Sequence, residues 1–338
     1  MYIKRKIKFS LLFEDSWRFL VIIGLWSASI IYLHDYMNLG IIAMPIIPLS
    51  TLGIAVSLYL GFRSKESYER WWEARKIWGD IINKSRAFSN QVHHLLYDEE
   101  GKSIDVTQKK ELIYRHIAWL YALKYQLRAT SRFTVHSKSR MFNHKVVNTD
   151  EAKLISNYLS QQELEEIKDS SNIATQILFQ QGKALQKHAN NSYLDNNRHV
   201  NLNDSISHFY DAQGKCERIK KTPFPRPFAF MGQVFTAIFI FLLPFGFLDS
   251  FEDEGARYLK NALLERDYMF AMVPFTMLIS WVFYMMEKVS DSMEDPFEGA
   301  TNDLPLSAMV KTIEIDLRES LKDDNIPKPV QAIDDILH

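Results

Sequence analysis

Uncharged apolar runs gather in two blocks of the chain, and each block holds two runs. The four runs cover residues 19–33, 37–62, 227–248 and 268–286. A helix needs about 20 mostly apolar residues to cross a hydrocarbon core of ~30 Å. The first run is short, but Trp17 and Tyr32 flank it, and aromatic residues are enriched at membrane boundaries. The pattern therefore predicts four membrane-spanning helices, grouped as two hairpins.

Basic residues lie on one side of these predicted helices. They precede the first span, follow the second and precede the third, at Lys4, Arg5, Lys6, Lys8, Arg63, Lys65, Arg70, Arg75, Lys76, Arg218, Lys220, Lys221 and Arg226. The turn 34–37 has no Lys or Arg, and the turn 249–267 is net acidic. Because cytoplasmic loops are enriched in Lys and Arg, both termini and the long middle segment are predicted to be cytosolic.

The middle segment is polar, has little glycine or proline, and carries apolar residues at a helical period, as in 111–127. No break follows Phe62, so the second span is expected to continue as one helix into the cytosol. We therefore divide the chain into four parts. Residues 1–62 hold a lead-in and two spans, and residues 63–222 form a helical cytosolic domain. Residues 223–286 hold the other two spans, and residues 287–338 form a cytosolic tail.

Composition narrows the possible functions. The chain has 40 basic and 41 acidic residues, which argues against a nucleic-acid partner. Cys216 is the only cysteine, so no intrachain disulfide can form. The sequence contains no glycine-rich phosphate loop and no His-Glu-x-x-His or Gly-x-Ser-x-Gly motif. We expect no cofactor and no catalytic residue.

Three apolar residues of the second span share one helix face. Ile54, Leu58 and Phe62 recur every four residues, and the small residues Gly53 and Gly61 lie beside them. Lipid contact or core packing would explain this spacing in a single helix. Several copies around a symmetry axis would instead form stacked apolar rings, which can gate ions by dewetting. The spacing alone leaves both interpretations open.

The sequence that follows resembles the signature of the bestrophin family. Leu60, Gly61 and Phe62 are followed, eight residues after Phe62, by Arg70, Trp71 and Trp72, and a continuation typical of the bacterial branch runs from Glu73 to Gly79. A second match is the turn after the fourth span, at Asp295, Pro296 and Phe297. A third is the Thr-Pro-x-Pro entry to the third span, at Thr222, Pro223 and Pro225. The resemblance extends over essentially the whole chain.

The resemblance implies an all-α membrane protein that assembles as a homopentamer around one pore. It places the three apolar rings of the family's neck on Ile54, Leu58 and Phe62, with Leu58 standing where the family usually has Ile or Phe. A second, cytosolic constriction is expected near Ile173. The signature residues Gly61, Arg70, Trp71, Trp72, Glu73, Asp295, Pro296 and Phe297 are expected to be structural.

The turn after Asp295 departs from animal bestrophins, in which an acidic run clasps calcium. Calcium requires six to eight oxygen ligands, several of them carboxylates. Here Gly299, Ala300 and Thr301 occupy three of the expected acidic positions. We therefore predict that the calcium clasp is absent and that no metal is bound.

The sequence thus predicts a passive channel for small monovalent ions in the bacterial inner membrane. Animal bestrophins conduct chloride and other anions, but we lean towards cations for the bacterial branch, and the sign stays open. The expected partners are permeant inorganic ions, membrane lipid and further copies of the chain. The alternatives are a membrane scaffold or sensor that binds a cytosolic partner, and a membrane-embedded enzyme.

Overall fold

The computed structural model describes residues 1–4, 9–129, 151–258, 267–333 and 335–337. Three residues of the basic lead-in, Arg5, Lys6 and Lys8, lie outside this part of the chain, as do residues 259–266 of the acidic turn and 130–150 of the middle segment. The described α-helices are α1 Phe9–Ile31, α2 Ile46–His94, α3 Val106–Arg128, α4 Glu151–Ser156, α5 Gln161–Ile167, α6 Ile173–Asn190, α7 Asn196–Lys221, α8 Arg226–Tyr258, α9 Met272–Asp291 and α10 Leu306–Ser320.

Four helical segments are long and apolar enough to cross a bilayer: Phe13–Tyr36, Gly40–His94, Arg226–Arg257 and Asp267–Asp291. They coincide with the four apolar runs of the sequence. A π-helical turn, Tyr32–Tyr36, and a 3-10 turn, Gly40–Ile42, connect α1 to α2. The prediction of an all-helical protein with four membrane spans is confirmed.

The second helix is continuous over 49 residues, from Ile46 to His94. Pro48 lies in its first turn, where the backbone N–H has no partner within the helix and proline is tolerated. The helix ends at Leu95, whose N–H is bonded to the carbonyl of Gln91. This confirms the expectation that the helix does not break after Phe62, and it joins the membrane part directly to the polar part.

The polar part has its own apolar core, to which the second half of α2, α3, α6, α7 and α10 contribute. Trp78, Trp119, Phe88 and Phe209 are fully buried there. Side chains cap its helices: Asn172, for example, accepts from the N–H of Thr175, and Asp195 accepts from that of Arg198. The described residues in the middle of the chain, 63–129 and 151–222, therefore form a packed helical unit.

Within the membrane part, α2 packs between α8 and α9, and α1 packs against α9. Gly53 allows the close approach of α2 to α8, since a Cβ atom at this position would lie 2.8 Å from Phe239. Val56 and Leu60 extend the same buried face of α2. These contacts determine which face of α2 the chain leaves uncovered.

Candidate functional site

The predicted neck residues lie on the uncovered face of α2. Ile54, Leu58 and Phe62 expose 70%, 59% and 57% of their surface within one chain. The opposite face is buried against α8 and α9, with Val56 and Leu60 nearly inaccessible. The chain therefore presents a continuous apolar stripe that none of its own described residues covers.

Gly61 lies on the exposed side of α2 as well, between Leu58 and Phe62. A Cβ atom built at Gly61 meets nothing within 4 Å, unlike one at Gly53. Gly61 therefore serves no close packing contact within the described chain. Its small size leaves space next to the apolar stripe.

Directly behind Phe62, Arg63 is fully buried and binds three carboxylates. Its Nη2 lies 2.7 Å from Glu294 Oε1, and its Nη1 lies 3.3 Å from Glu287 Oε1. Asp291 is 3.8 Å away. This cluster ties the end of the stripe to the end of α9 and the turn that follows it.

One guanidinium cannot neutralise three acids, and burial disfavours a charged carboxylate. Burial raises the pKa of Glu294 from 4.5 to about 7, although Arg63 acts in the opposite direction. The sequence does not reveal this cluster. Arg63 stands there only as one of the basic residues after the second span, because a residue beside an apolar run gives no sign of a partner more than 200 positions away.

The signature arginine, Arg70, connects α2 to two other parts of the chain. Its Nε donates to the carbonyl of Glu294 at 2.6 Å, and its Nη2 donates to the carbonyls of Thr222, at 2.6 Å, and Ile219. Asp295 is 4.0 Å away. Arg70 thus holds the end of α7 and the turn after α9 against the same stretch of α2.

The other signature residues of α2 also make contacts within the chain. Trp71 Nε1 donates to the carbonyl of Asn302 at 3.0 Å, and Glu73 pairs with Arg218 at 2.6 Å. Trp72 is 45% exposed and stacks on Trp71 and Tyr68. These contacts are those of packing and connecting residues, and the structural role expected of the signature stays a prediction.

The turn that contains Asp295, Pro296 and Phe297 is closed by basic side chains of the chain itself. Phe297 is buried, and its carbonyl accepts from Arg128 at 3.4 Å. Lys220 Nζ lies 2.5 Å from Glu298 Oε1, and both side chains are largely buried. The ammonium and guanidinium groups thus bring positive charge into the turn.

Asp303 closes the same turn from the other side. Its Oδ2 accepts from the N–H groups of Gly299 and Ala300 at 2.7 and 3.0 Å. Complete burial raises the pKa of Asp303 from 3.8 to about 7. Among the described residues, no group of three or more His, Cys, Asp or Glu is arranged to hold a metal.

Ile173, the residue predicted at a cytosolic constriction, is the first residue of α6. It is half-buried and packs against the apolar core of the cytosolic part. The preceding Asn172 caps the helix and accepts a hydrogen bond from Gln126 at 2.9 Å. Ile173 is therefore held in a defined position, and its role in a constriction stays a prediction.

The chain has relatives among known protein families and curated proteins. Residues 12–319 match the family model described as Bacterial/Fungal Bestrophin protein. The voltage-dependent anion channel-forming protein YneE of Escherichia coli K12 is 28% identical over 307 residues, which cover 90% of this chain and 86% of that protein. The voltage-dependent anion channel-forming protein mll4386 of Mesorhizobium japonicum is 25% identical over 298 residues, or 88% and 82% of the two chains.

The fold has solved relatives too. A crystal structure of a bacterial bestrophin homologue from Klebsiella pneumoniae superimposes with a TM-score of 0.74 at 26% identity. The match covers 90% of this chain and 98% of that chain. The arrangement of four spans and a helical polar part is therefore shared with a bestrophin structure.

The architecture defines a multi-pass, all-helical membrane protein. The chain belongs to the bacterial and fungal bestrophin family. This confirms the resemblance noted in the motifs around Arg70 and Asp295. Bestrophins are a channel-forming family, and the membrane-embedded enzyme considered from the sequence is excluded.

Proposed function

We propose that this protein is a passive ion channel whose neck is formed by Ile54, Leu58 and Phe62. The observation that carries the proposal is the apolar stripe of α2. The chain buries the opposite face of this helix and leaves the three side chains exposed. Stacked rings of such side chains around an axis form a constriction that ions cross only after losing water.

The channel requires several copies of the chain, and we propose the pentamer that bestrophin membership suggests. Five copies would turn the stripe of α2 towards one axis. Ile173, at the start of α6, would form a second, cytosolic constriction. Cross-linking of the purified protein in detergent, followed by mass measurement, tests the number of copies.

We propose that both termini lie in the cytosol of the bacterial cell, at its inner membrane. The N–H of Ile3 is bonded to the carbonyl of Asp335 at 3.0 Å, and Lys4 pairs with Asp335 at 2.9 Å. These contacts support a common side for the two ends. Basic residues beside the spans support the cytosolic side. Protease access in inside-out vesicles tests the orientation.

The sign of the permeant ion is the part of the proposal in which the sequence and the relatives differ. From the sequence we lean towards cations, whereas YneE and mll4386 are both named as anion channel-forming proteins. Those names favour anions. The neck side chains are uncharged, so they determine the cost of dehydration more than the sign. The reversal potential in asymmetric salt measures the sign directly.

The neck is tested by recording currents from the purified protein in planar bilayers. We expect Leu58→Ala to increase the current, because shortening an apolar ring lowers the dehydration barrier. Phe62→Ala is expected to act in the same direction. Leu25→Ala is a matched control, because Leu25 is 68% exposed on α1 and lies outside the stripe.

The control is expected to leave the current unchanged. If both neck variants gave wild-type currents, the constriction would lie elsewhere. If Leu25→Ala raised the current as much as Leu58→Ala, the effect would reflect a general loosening of the membrane part.

A further inference from the structure

A groove opens on the outside of the membrane part, between α1, α8 and α9. Its volume is about 590 Å³, within the range of ~300–1,000 Å³ common for ligand sites. Apolar side chains form most of its walls, among them Ile22, Ile23, Trp26, Ala237 and Ile240. It lies on a different face of the molecule from the neck stripe of α2, none of whose residues lines it.

The groove follows the helices and therefore runs along the membrane normal. On α1 it extends from Phe19 to Trp26, which corresponds to about 10 Å of helix. That length is most of the depth of one leaflet in a hydrocarbon core of ~30 Å. Ring stacking fixes the wall at one end, since Phe19 lies on Tyr284 with centroids 4.3 Å apart. A trough of this direction and composition matches an acyl chain.

Polar groups are confined to one end of the groove. Gln233, Thr236, Glu287 and Lys288 line it there. Thr236 is 95% buried, and its hydroxyl has no hydrogen-bond partner among the described residues. A buried hydroxyl without a partner is unfavourable, so a ligand that accepts or donates a hydrogen bond would be stabilised there.

Positive charge lies at the same end. Lys288 is one turn beyond Tyr284 on α9, and its ammonium lies over the Tyr284 ring. Arg18 immediately precedes Phe19 on α1 and is exposed. Glu287 lies between two cations, with its Oε1 3.3 Å from Arg63 and its Oε2 4.0 Å from Lys288. Exposed Arg18 and partly exposed Lys288 therefore supply the positive charge for an anionic head group at this end.

We propose that this groove binds an anionic phospholipid of the surrounding bilayer, with one acyl chain between α1 and α8 and its phosphate beside Lys288 and Arg18. Gln233 donates to Glu287 at 3.1 Å, and Glu287 in turn contacts Arg63, the residue after Phe62. An occupied groove thus contacts the buried cluster behind the neck stripe. That link makes the lipid a regulator of the neck, a role that rests on the proposed channel function.

The binding is tested with full-length protein in phosphatidylcholine vesicles that contain phosphatidylglycerol with a diazirine in its acyl chain. After illumination, labelled peptides are mapped by mass spectrometry. We expect the label to concentrate in the groove segments of α1, α8 and α9. Ala237→Trp fills the groove, and we expect it to reduce labelling there about tenfold. Ile238→Trp is the matched control, because Ile238 is the next residue, is exposed and does not line the groove.

The head group is tested separately, so that a poorly folded Ala237→Trp would not decide the matter. We expect Lys288→Gln to lower the preference for phosphatidylglycerol over phosphatidylcholine about fivefold. Arg257→Gln removes the same charge near the opposite end of α8 and is expected to leave the preference unchanged. Equal labelling of all exposed apolar segments would overturn the site. Cross-links from the groove to a second copy of the chain would identify it as a subunit interface and would also overturn it.

The regulatory link is read from currents in bilayers with increasing phosphatidylglycerol. We expect the current of the wild type and of Ile238→Trp to change with the lipid fraction, and that of Ala237→Trp to stay constant. A response that persists in Ala237→Trp would remove the regulatory role. Labelling requires no ion flow, so a failure of the channel proposal would leave the labelling result intact.

Discussion

Arg63 donates two hydrogen bonds to a single oxygen of Glu294, from Nε at 3.1 Å and from Nη2 at 2.7 Å. The arginine belongs to α2 and the acid to the turn after α9, 231 positions further along the chain. Both side chains are buried. The pair therefore holds two distant parts of the chain together immediately behind the exposed neck stripe.

Removal of one partner is expected to be costly. Arg63→Gln would leave buried carboxylates without their cation, and such a change costs ~3–5 kcal/mol. We expect a corresponding loss in the free energy of unfolding, measured by denaturant titration in detergent micelles. Lys65→Gln is the control, because its pair with Glu69 is exposed, at 3.6 Å, and such pairs contribute ~0–1 kcal/mol. Equal losses in both variants would contradict a structural role for the buried pair.

Stability should also depend on pH through this cluster. The pKa of Glu294 is raised by burial from 4.5 to about 7, so the folded protein keeps a proton that the unfolded chain has lost. The contribution of protonated Glu294 to the free energy of unfolding is therefore fully present below pH 4.5 and is lost as the pH rises to about 7. Asp303, whose pKa is also raised, likewise makes the folded state less stable as the pH rises. Buried His116, whose pKa is lowered to about 3, has the opposite effect.

A comparison of the wild type with Glu294→Gln isolates the effect of Glu294 on the pH dependence of stability. We expect the free energy of unfolding of the wild type to decrease relative to that of Glu294→Gln between pH 4.5 and 7. Above this range the difference should be constant. A difference that stayed constant between pH 4.5 and 7 would mean that Arg63 holds Glu294 ionised over this range.

Two glycines of α2 should respond differently to the same substitution. A Cβ atom at Gly53 would lie 2.8 Å from Phe239, so Gly53→Ala should force α2 away from α8 and cost ~1–3 kcal/mol. Gly61→Ala meets open space and should be neutral or stabilise the helix by up to ~1 kcal/mol. The thermal unfolding midpoints of the two variants check this. A similar loss at Gly61 would indicate a close neighbour there, such as another subunit.

Calcium should have no effect on the channel. Lys220 and Arg128 already bring positive charge to the turn around Phe297 and Glu298, and three positions of the expected acidic run lack a carboxylate. We expect identical currents in calcium and in a calcium chelator. Addition of magnesium in place of calcium controls for general screening of charge. A current that appears only with calcium would contradict the predicted absence of the clasp.

The sequence was sufficient to predict the membrane part, because the apolar runs are long and the period of Ile54, Leu58 and Phe62 is local. Gly53, a small residue beside this stripe, indicated a close helix contact, but only the structure shows which face of α2 is buried. The family motifs added the positions of Arg70 and Asp295. Each of these signals lies within one helix or one turn.

The remaining features depend on contacts between distant segments. Neither the role of Arg63 nor the pairing of Lys220 with Glu298 has a local signal, since each needs the end of α9 to meet α2 or α7. Glu287 directly follows the fourth apolar run, and the structure buries it between Arg63 and Gln233. Hydropathy alone cannot distinguish a charge in contact with water from one enclosed by its partners.

The uninterrupted course of α2 restricts how the protein can move. A helix of 49 residues is a rod of roughly 74 Å, and its two ends cannot reorient separately without breaking backbone hydrogen bonds. A tilt imposed near His94, at the far end of the helix in the polar part, would displace Phe62 in the same motion. Any binding event at that end of the rod therefore has a direct mechanical route to the proposed neck.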